Sequence, residues 1–212
     1  TMDGHVIGIN GTFNEHVDID KGITLQPMSL SPTFGGWAGP PWPSPAIIDG
    51  AGFRYTIEIN HNQVTIIGIQ ITNTNPNCLS ATTYAGGILD WGNSDITIDD
   101  CYIYGISSPN CPTCAINLWG TDDSEIKNCD ITNLNGDVGI LLGNDNSGIT
   151  IEYNEISGND IGIYGRSDSL SDIQVHCNHI SGNTNYGILN DYTGYDIEAD
   201  CNYWGNPSGP TH

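Results

Sequence analysis

Short apolar segments with an alternating pattern recur along the whole chain. Each places a branched aliphatic residue at every second position, as in Ile96-Thr97-Ile98 and Ile149-Thr150-Ile151. This alternation is typical of a half-buried β-strand. Clusters of Gly, Asn, Asp and Ser interrupt the segments every few residues, for example at 143–146 and 157–160. The interruptions leave no room for a helix between strands, so a doubly wound α/β fold is excluded.

The segments belong to a repeat. One motif closes on Ile71, Ile103, Ile131, Ile156, Ile180 and Trp204. A second motif, a small residue followed by isoleucine, falls between these positions and gives Ile88, Ile116, Ile140, Ile163 and Ile188. Two motifs that advance together predict a solenoid in which each strand pairs in parallel with its equivalent one coil along.

We therefore predict one all-β domain over residues 1–212. It is a right-handed single-stranded parallel β-helix of about 8 coils, with about 24 residues per coil. Loop insertions are predicted near 27–45, 73–86 and 105–114.

One column of the repeat predicts a stacked asparagine ladder. Asn154, Asn178 and Asn202 occupy the same place in three successive coils. Asparagine tolerates the left-handed backbone of a tight turn, and stacked amides bond along the solenoid axis. We interpret this ladder as structural.

Four of the seven cysteines fall on two neighbouring columns. Cys101 aligns with Cys129, and Cys177 aligns with Cys201. Successive coils are spaced ~4.8 Å apart, which lies within the Cα separation of a disulfide, ~4.4–6.8 Å. We predict the disulfides Cys101–Cys129 and Cys177–Cys201, with buried free thiols as the alternative.

The other three cysteines are Cys78, Cys111 and Cys114, in two long loops at corresponding places in the repeat. One bridge among them leaves an odd cysteine, and its identity stays open. A zinc or redox role for the Cys111–Cys114 pair is weakly supported, because no second CxxC occurs. Seven cysteines in a lysine-poor acidic chain favour an oxidising compartment, and we predict an extracellular or cell-surface location.

Charge limits the possible partners. Only 4 Lys and Arg residues oppose 25 carboxylates, for a formal charge of −21. Nucleic acids and anionic membranes both require clustered cations, so neither is an expected partner. No apolar run is long enough to insert into a membrane. Carboxylate oxygens make Ca²⁺ the one candidate cofactor, with Asp99, Asp122 and Asp123 as weak ligand candidates beside a default role in solubility.

Several segments resemble pectin-lyase-like right-handed parallel β-helices. They are Gly11-Thr12-Phe13-Asn14-Glu15-His16-Val17, Lys21-Gly22-Ile23-Thr24-Leu25, Ile47-Ile48-Asp49-Gly50 and Val64-Thr65-Ile66-Ile67-Gly68-Ile69-Gln70-Ile71. The ending Asn202-Tyr203-Trp204-Gly205-Asn206-Pro207-Ser208-Gly209-Pro210 is similar to the last coil of archaeal and bacterial cell-surface β-helix proteins. The resemblance spans nearly the whole chain and implies the fold and a cell-surface setting, but no specific chemistry.

The chain departs from this family at its start. Members usually begin with an amphipathic helix that caps the first coil, whereas here only residues 1–5 precede the first strand. We expect either a trimmed fragment or a neighbouring copy that covers the bare edge, and hence self-association.

Catalytic signatures of the family are missing. Its hydrolases carry Gly-His-Gly and Asn-Thr-Asp, and neither tripeptide occurs here. Its lyases use a basic residue, and Lys127 is a conceivable base in a column with Asp99 and Glu152. A solvated ion-pair column is the favoured interpretation, so we predict no catalytic residue.

The clearest surface feature is aromatic. Trp91 and Trp119 share one outward column, and Tyr164 lies in the next. Exposed aromatic stripes mark binding surfaces for sugars or for another subunit, unless overlying loops cover them. The loop 27–45 is a possible cover or docking segment. Candidate binding residues for a glycan or a subunit are Trp91, Trp119, Tyr164, Trp37 and Trp42.

These features support two functional hypotheses. The first is a non-catalytic extracellular structural protein: a cell-surface, sheath or filament subunit that assembles through its coil ends. The alternative is a polysaccharide-active enzyme, either a lyase or a glycoside hydrolase, or a carbohydrate-binding surface module. Electron microscopy and polysaccharide binding distinguish the two.

Overall fold

Three parallel sheets wind around one core. The computed structural model describes residues 5–28, 46–80, 83–132, 137–167 and 169–205. Within these ranges the regular elements are 22 strands, numbered here in chain order. Successive strands pass from sheet A to sheet B to sheet C once per coil. No helix in this part of the chain has the length and apolarity that crossing a membrane requires.

The strand bounds follow the repeat. Sheet A contains β1 (His5–Ile9), β4 (Ile23–Pro27), β7 (Thr65–Ile67), β10 (Thr97–Asp99), β13 (Asp122–Lys127), β16 (Ser147–Glu152), β19 (Ser171–His176) and β22 (Ile197–Asp200). Sheet B contains β2 (Thr12–Asn14), β5 (Ile47–Asp49), β8 (Gln70–Thr72), β11 (Tyr102–Tyr104), β14 (Asp130–Thr132), β17 (Glu155–Ser157) and β20 (His179–Ser181). Sheet C contains β3 (Val17–Ile19), β6 (Tyr55–Ile59), β9 (Ala85–Trp91), β12 (Thr113–Trp119), β15 (Val138–Leu142), β18 (Ile161–Gly165) and β21 (Tyr186–Asn190).

The core is a set of stacked aliphatic columns. In sheet C, Ile88 pairs with Ile116 and Ile116 with Ile140, each fully buried. In sheet B, Ile103 pairs with Ile131 in the same way. Alternate residues of each strand point inward, so the period-2 pattern fills the interior with isoleucine. The predicted right-handed parallel β-helix of about 8 coils is confirmed.

The asparagine ladder lies at the turn between sheets A and B. The backbone N–H of Asn154 donates to Asn178 Oδ1 at 2.9 Å, and that of Asn178 to Asn202 Oδ1 at 2.9 Å. The Asn178 Nδ2 donates to the carbonyl of Ile151 at 2.8 Å. Each amide thus joins neighbouring coils at a turn whose backbone groups would otherwise lack partners. The ladder is present as predicted.

A second ladder occupies the turn between sheets B and C. The backbone N–H and Nδ2 of Asn159 both donate to Asn183 Oδ1, at 3.1 Å each. The Nδ2 of Asn159 also donates to the carbonyl of Ile131 at 3.3 Å. The sequence analysis missed this ladder, although Asn159 and Asn183 are separated by one coil.

The disulfide pairing differs from the prediction. Cys78 and Cys111 form a disulfide with their Cα atoms 6.0 Å apart, which joins the loops after β8 and β11. The predicted Cys101–Cys129 and Cys177–Cys201 bonds are not formed. The free cysteines are Cys101, Cys114, Cys129, Cys177 and Cys201.

The alignment behind the prediction is nevertheless present. Asp99 pairs with Lys127, which places Cys101 and Cys129 in equivalent positions of adjacent coils. Each buried thiol donates instead to a backbone carbonyl, Cys101 to that of Asp99 at 3.2 Å and Cys129 to that of Lys127 at 3.1 Å. Burial also raises the pKa of the Cys129 thiol, so its reactive thiolate is disfavoured.

Candidate functional site

The outer face of sheet C carries the predicted aromatic column. Trp91 and Trp119 end strands β9 and β12 and pair in register. Their rings are stacked, with centroids 5.6 Å apart and planes inclined by 12°. Trp91 is 58% exposed, which is unusual because so large an apolar side chain is normally mostly buried. The structure therefore brings these two predicted residues together as one aromatic surface.

Glycine supports the stack from the next coil. Gly143 directly follows β15 and continues the column of Trp91 and Trp119 into the next coil. A Cβ atom on Gly143 would lie 2.3 Å from Cε3 of Trp119, so the indole ring lies directly on the glycine backbone. The order along the axis is Gly143, Trp119 and Trp91, which leaves Trp91 at the end of the stack. The sequence analysis missed Gly143, whose signal is a missing side chain within an aromatic column.

A buried polar network fixes the turns beneath the stack. Asp90 is fully buried and accepts hydrogen bonds from Thr121 Oγ1 at 2.5 Å and Asn93 Nδ2 at 2.8 Å. The backbone N–H of Thr121 in turn donates to Asn146 Oδ1 at 2.8 Å. Burial raises the pKa of Asp90, and the hydrogen bonds from Thr121 and Asn93 partly oppose that rise. The network joins three coils next to Trp91, and sequence reasoning missed it.

The neighbouring outward column is mainly apolar. It contains Leu89, Asn117, Leu141, Tyr164 and Leu189 in register. The Tyr164 hydroxyl donates to a carboxylate oxygen of Asp191. Desolvation, followed by Asp191, raises the pKa of Tyr164 to about 12. Tyr164 lies on the same face as the tryptophans, as predicted, but it contacts Asp191 rather than their rings.

Tyr84 packs against this apolar column from the loop before β9. Its carbonyl accepts from Tyr55 Oη at 3.0 Å and from Arg54 Nε at 3.1 Å. The Arg166 guanidinium lies 5.7 Å from the centre of the Tyr84 ring. Two of the four cationic residues of the chain thus converge on Tyr84. The same loop carries Cys78, so the disulfide to Cys111 anchors it.

Asn117 adds an unpaired acceptor. Its Nδ2 donates to Tyr55 Oη at 2.8 Å, whereas its Oδ1 has no hydrogen-bond partner. The residue is only 5% exposed, and an unpaired buried acceptor costs about 1–3 kcal/mol. The outer face of sheet C therefore carries an aromatic stack and a guanidinium, and the unpaired amide oxygen of Asn117 is buried beneath that face.

The Ca²⁺ candidates lie at two separate places on sheet A. Asp99 pairs with Lys127 at one end of β13, and Asp122 stands at the other end. Five residues of strand separate the two positions by roughly 16 Å. Asp99 also accepts from Asn128 Nδ2 at 2.8 Å. Asp123 shares the far end with Asp122, and in the described ranges no three His, Cys, Asp or Glu side chains are placed to hold a metal.

The Lys127 column is an ion-pair column. Lys127 bonds to Glu125, and this hydrogen bond is the main cause that raises the pKa of Lys127. Asp99 and Glu152 flank Lys127 in register and add to the rise. A lysine held protonated is a poor general base. Trp37 and Trp42, the remaining predicted binding residues, lie outside the described residues.

The sheets and their turns define a single-stranded right-handed parallel β-helix. Residues 47–203 match the family model described as "Right handed beta helix region", and the chain belongs to that family. Neither a curated protein nor a solved structure matches the chain. Family membership defines the scaffold, whereas function has to be argued from the residues on its outer face.

Proposed function

We propose that this chain is an extracellular, non-catalytic β-helix protein that binds a glycan on the outer face of sheet C. The single observation that carries the proposal is the exposed stack of Trp91 on Trp119. Flat aromatic rings stack on the apolar faces of sugar rings, and the 58% exposed ring of Trp91 presents such a flat surface to solvent.

The polar groups around the stack suit an uncharged glycan. Arg166, which lies over the Tyr84 ring, and the Tyr164–Asp191 pair offer a hydrogen-bond donor and acceptors on the same face of sheet C, in the coils after the stack. A formal charge of −21 opposes the approach of a polyanionic polysaccharide. We expect neutral chains to bind more tightly than polyuronates at low ionic strength.

An extracellular setting is part of the same proposal. The Cys78–Cys111 disulfide anchors the loop that presents Tyr84 to this face. Such bonds persist in oxidising environments and are rare in the cytosol. The cell-surface setting implied by the family resemblance agrees with this extracellular location.

The test is calorimetric titration of the full chain with neutral β-glucan, galactomannan and polygalacturonate, each with Ca²⁺ and with chelator. Trp91→Ala should weaken binding about tenfold, because an aromatic contact contributes up to about 1.5 kcal/mol. Tyr104→Ala is the matched control, since Tyr104 stacks on Tyr102 at 4.4 Å on the outer face of sheet B. Unchanged binding by Trp91→Ala would remove the site. Release of reducing ends would contradict the non-catalytic part.

A second candidate function is assembly through the coil ends, as a sheath or filament subunit. In the described part of the chain β1 pairs on one side only, with β4. Val6 and Ile7 on β1 are 58% and 46% exposed. An apolar strand with a free edge is a template for another chain. Light scattering and electron microscopy test it: Val6→Lys should abolish any filament, and a strict monomer at high concentration excludes this function.

A further inference from the structure

Two exposed thiols lie side by side near the last described coil. Cys177 and Cys201 follow β19 and β22 directly, where His176 pairs with Asp200. Both are free and exposed. Adjacent coils are spaced ~4.8 Å apart, within the Cα range of ~4.4–6.8 Å that a disulfide spans.

The backbone holds the two cysteines in the same orientation. Their φ angles are 53° and 52°, so both occupy the left-handed region at the same turn. On the following side, the backbone N–H of Asn178 donates to Asn202 Oδ1 at 2.9 Å. Register is therefore fixed on both sides of the pair.

The second aligned pair provides an internal contrast. Cys101 and Cys129 stand one residue later in the same turn and are buried in the core. These residues are 1% and 2% exposed, and their thiols donate to backbone carbonyls. A dissolved reagent reaches one pair and is excluded from the other.

We infer that Cys177 and Cys201 form a reversible redox site whose reaction partner is a small-molecule disulfide. One protein thiol loses its proton and attacks the reagent, whose sulfur–sulfur bond breaks and releases one thiol. The second protein thiol then loses its proton and attacks the mixed disulfide, which releases the second thiol. The protein loses two protons and two electrons, and the reagent takes them up and is reduced to two thiols. This inference is independent of glycan binding.

Oxidation would stabilise one end of the described solenoid by linking its last two coils covalently. In the described residues β22 has one neighbour, β19, and terminal repeats of a solenoid open most easily. The new bond would close the loop that contains the exposed residues Tyr192 and Tyr195. Cleavage by chymotrypsin after these tyrosines should become several-fold slower.

The experiment treats the full chain with glutathione disulfide, alkylates it and maps its peptides by mass. The expected product joins the Cys177 and Cys201 peptides, and Cys101 and Cys129 remain alkylatable after unfolding. Cys201→Ser should retain a glutathione mixed disulfide on Cys177, because the resolving thiol is missing. The double variant Cys101→Ser/Cys129→Ser should be oxidised at the wild-type rate.

Three results would overturn the inference. These are a persistent mixed disulfide on the wild-type chain, a disulfide between two copies, and a Cys101–Cys129 bond that forms first. Peptide mapping of the wild-type chain decides among them even where a variant fails to fold. Equal chymotrypsin rates before and after oxidation would show that the disulfide does not stabilise the terminal coil. That result would overturn the claim that oxidation protects this end of the solenoid.

Discussion

The indole of Trp119 lies on the backbone of Gly143, where a Cβ atom would approach its Cε3 atom to 2.3 Å. Contacts under 3.0 Å of this kind force one partner to move. The position of the aromatic stack therefore depends on a residue one coil away that has no side chain.

Gly143→Ala should displace the Trp119 ring and disturb its stacking on Trp91. We expect the near-ultraviolet circular dichroism of the coupled indoles to fall and glycan binding to weaken several-fold, with both tryptophans still present. Gly194→Ala is the matched control, because a Cβ atom there meets nothing within 4 Å. An unchanged spectrum in Gly143→Ala would mean that the ring is not seated on the glycine.

The asparagine ladder should contribute strongly to stability. Asn178→Ala removes hydrogen bonds to Ile151 and Asn154 and leaves their buried backbone groups unpaired. The free energy of unfolding should fall by roughly 2–4 kcal/mol, since each unpaired buried group costs about 1–3 kcal/mol. Urea denaturation measures the loss.

An exposed asparagine provides the comparison for that measurement. Asn185 donates to Asp160 Oδ1 at 2.6 Å on the surface. Asn185→Ala should therefore lower stability by no more than about 0.5 kcal/mol. Equal losses in the two variants would contradict a special role for the ladder.

Asp90 should make stability depend on pH with a definite sign. Burial raises its pKa in the folded protein, so the folded state binds this proton more tightly than the unfolded state. Its contribution to stability is fully present below the ordinary aspartate pKa of ~3.9 and is lost as the pH rises through the raised value. The free energy of unfolding of the wild type, minus that of Asp90→Asn, should therefore decrease from pH 4 to pH 8. A difference that is constant or increases over this range would be contrary to the structure.

Native thiol labelling should separate the five free cysteines into two groups. Iodoacetamide should modify Cys177 and Cys201 in the folded protein, because both are exposed. The buried cysteines, Cys101, Cys114 and Cys129, should react only after unfolding. Burial raises the pKa of Cys114, which further suppresses its thiolate. Mass spectrometry of the labelled chain counts both groups, and rapid native labelling of Cys114 would contradict the described core.

The fold was predictable because its driving forces are periodic. Inward isoleucines such as Ile103 and Ile131 repeat once per coil, and the same period places Trp91 over Trp119. Column alignment also found the ladder of Asn154 and its neighbours. Every one of these predictions needs only the register between coils.

The cysteine bonding and the loop contacts could not be predicted, because the register between coils does not determine them. Alignment gave the correct coil positions for Cys101 and Cys129, but the bonding of their sulfur atoms depends on local geometry and on oxidation. The Cys78–Cys111 bond and the contacts of Tyr84 arise in loops whose paths have no period. The aspartates proposed for Ca²⁺ have a simpler explanation. Asp99 lies on β10, opposite the end of β13 that is far from Asp122 and Asp123. Among the described residues, neither place gathers three His, Cys, Asp or Glu side chains that could hold a metal.

The asparagine ladders make whole coils exchangeable units. Asn154 and Asn178 occupy equivalent places, 24 residues apart, and each bonds to the coil before it and the coil after it. Excision of one such interval would let Asn178 take over the contacts that Asn154 makes, with every inward column kept in phase. The protein can therefore lengthen or shorten in evolution by steps of one coil. Each coil gained or lost between Gly143 and Arg166 would change the distance between the tryptophan stack and the guanidinium by ~4.8 Å. The length of the binding face can therefore change one coil at a time while the core residues stay the same.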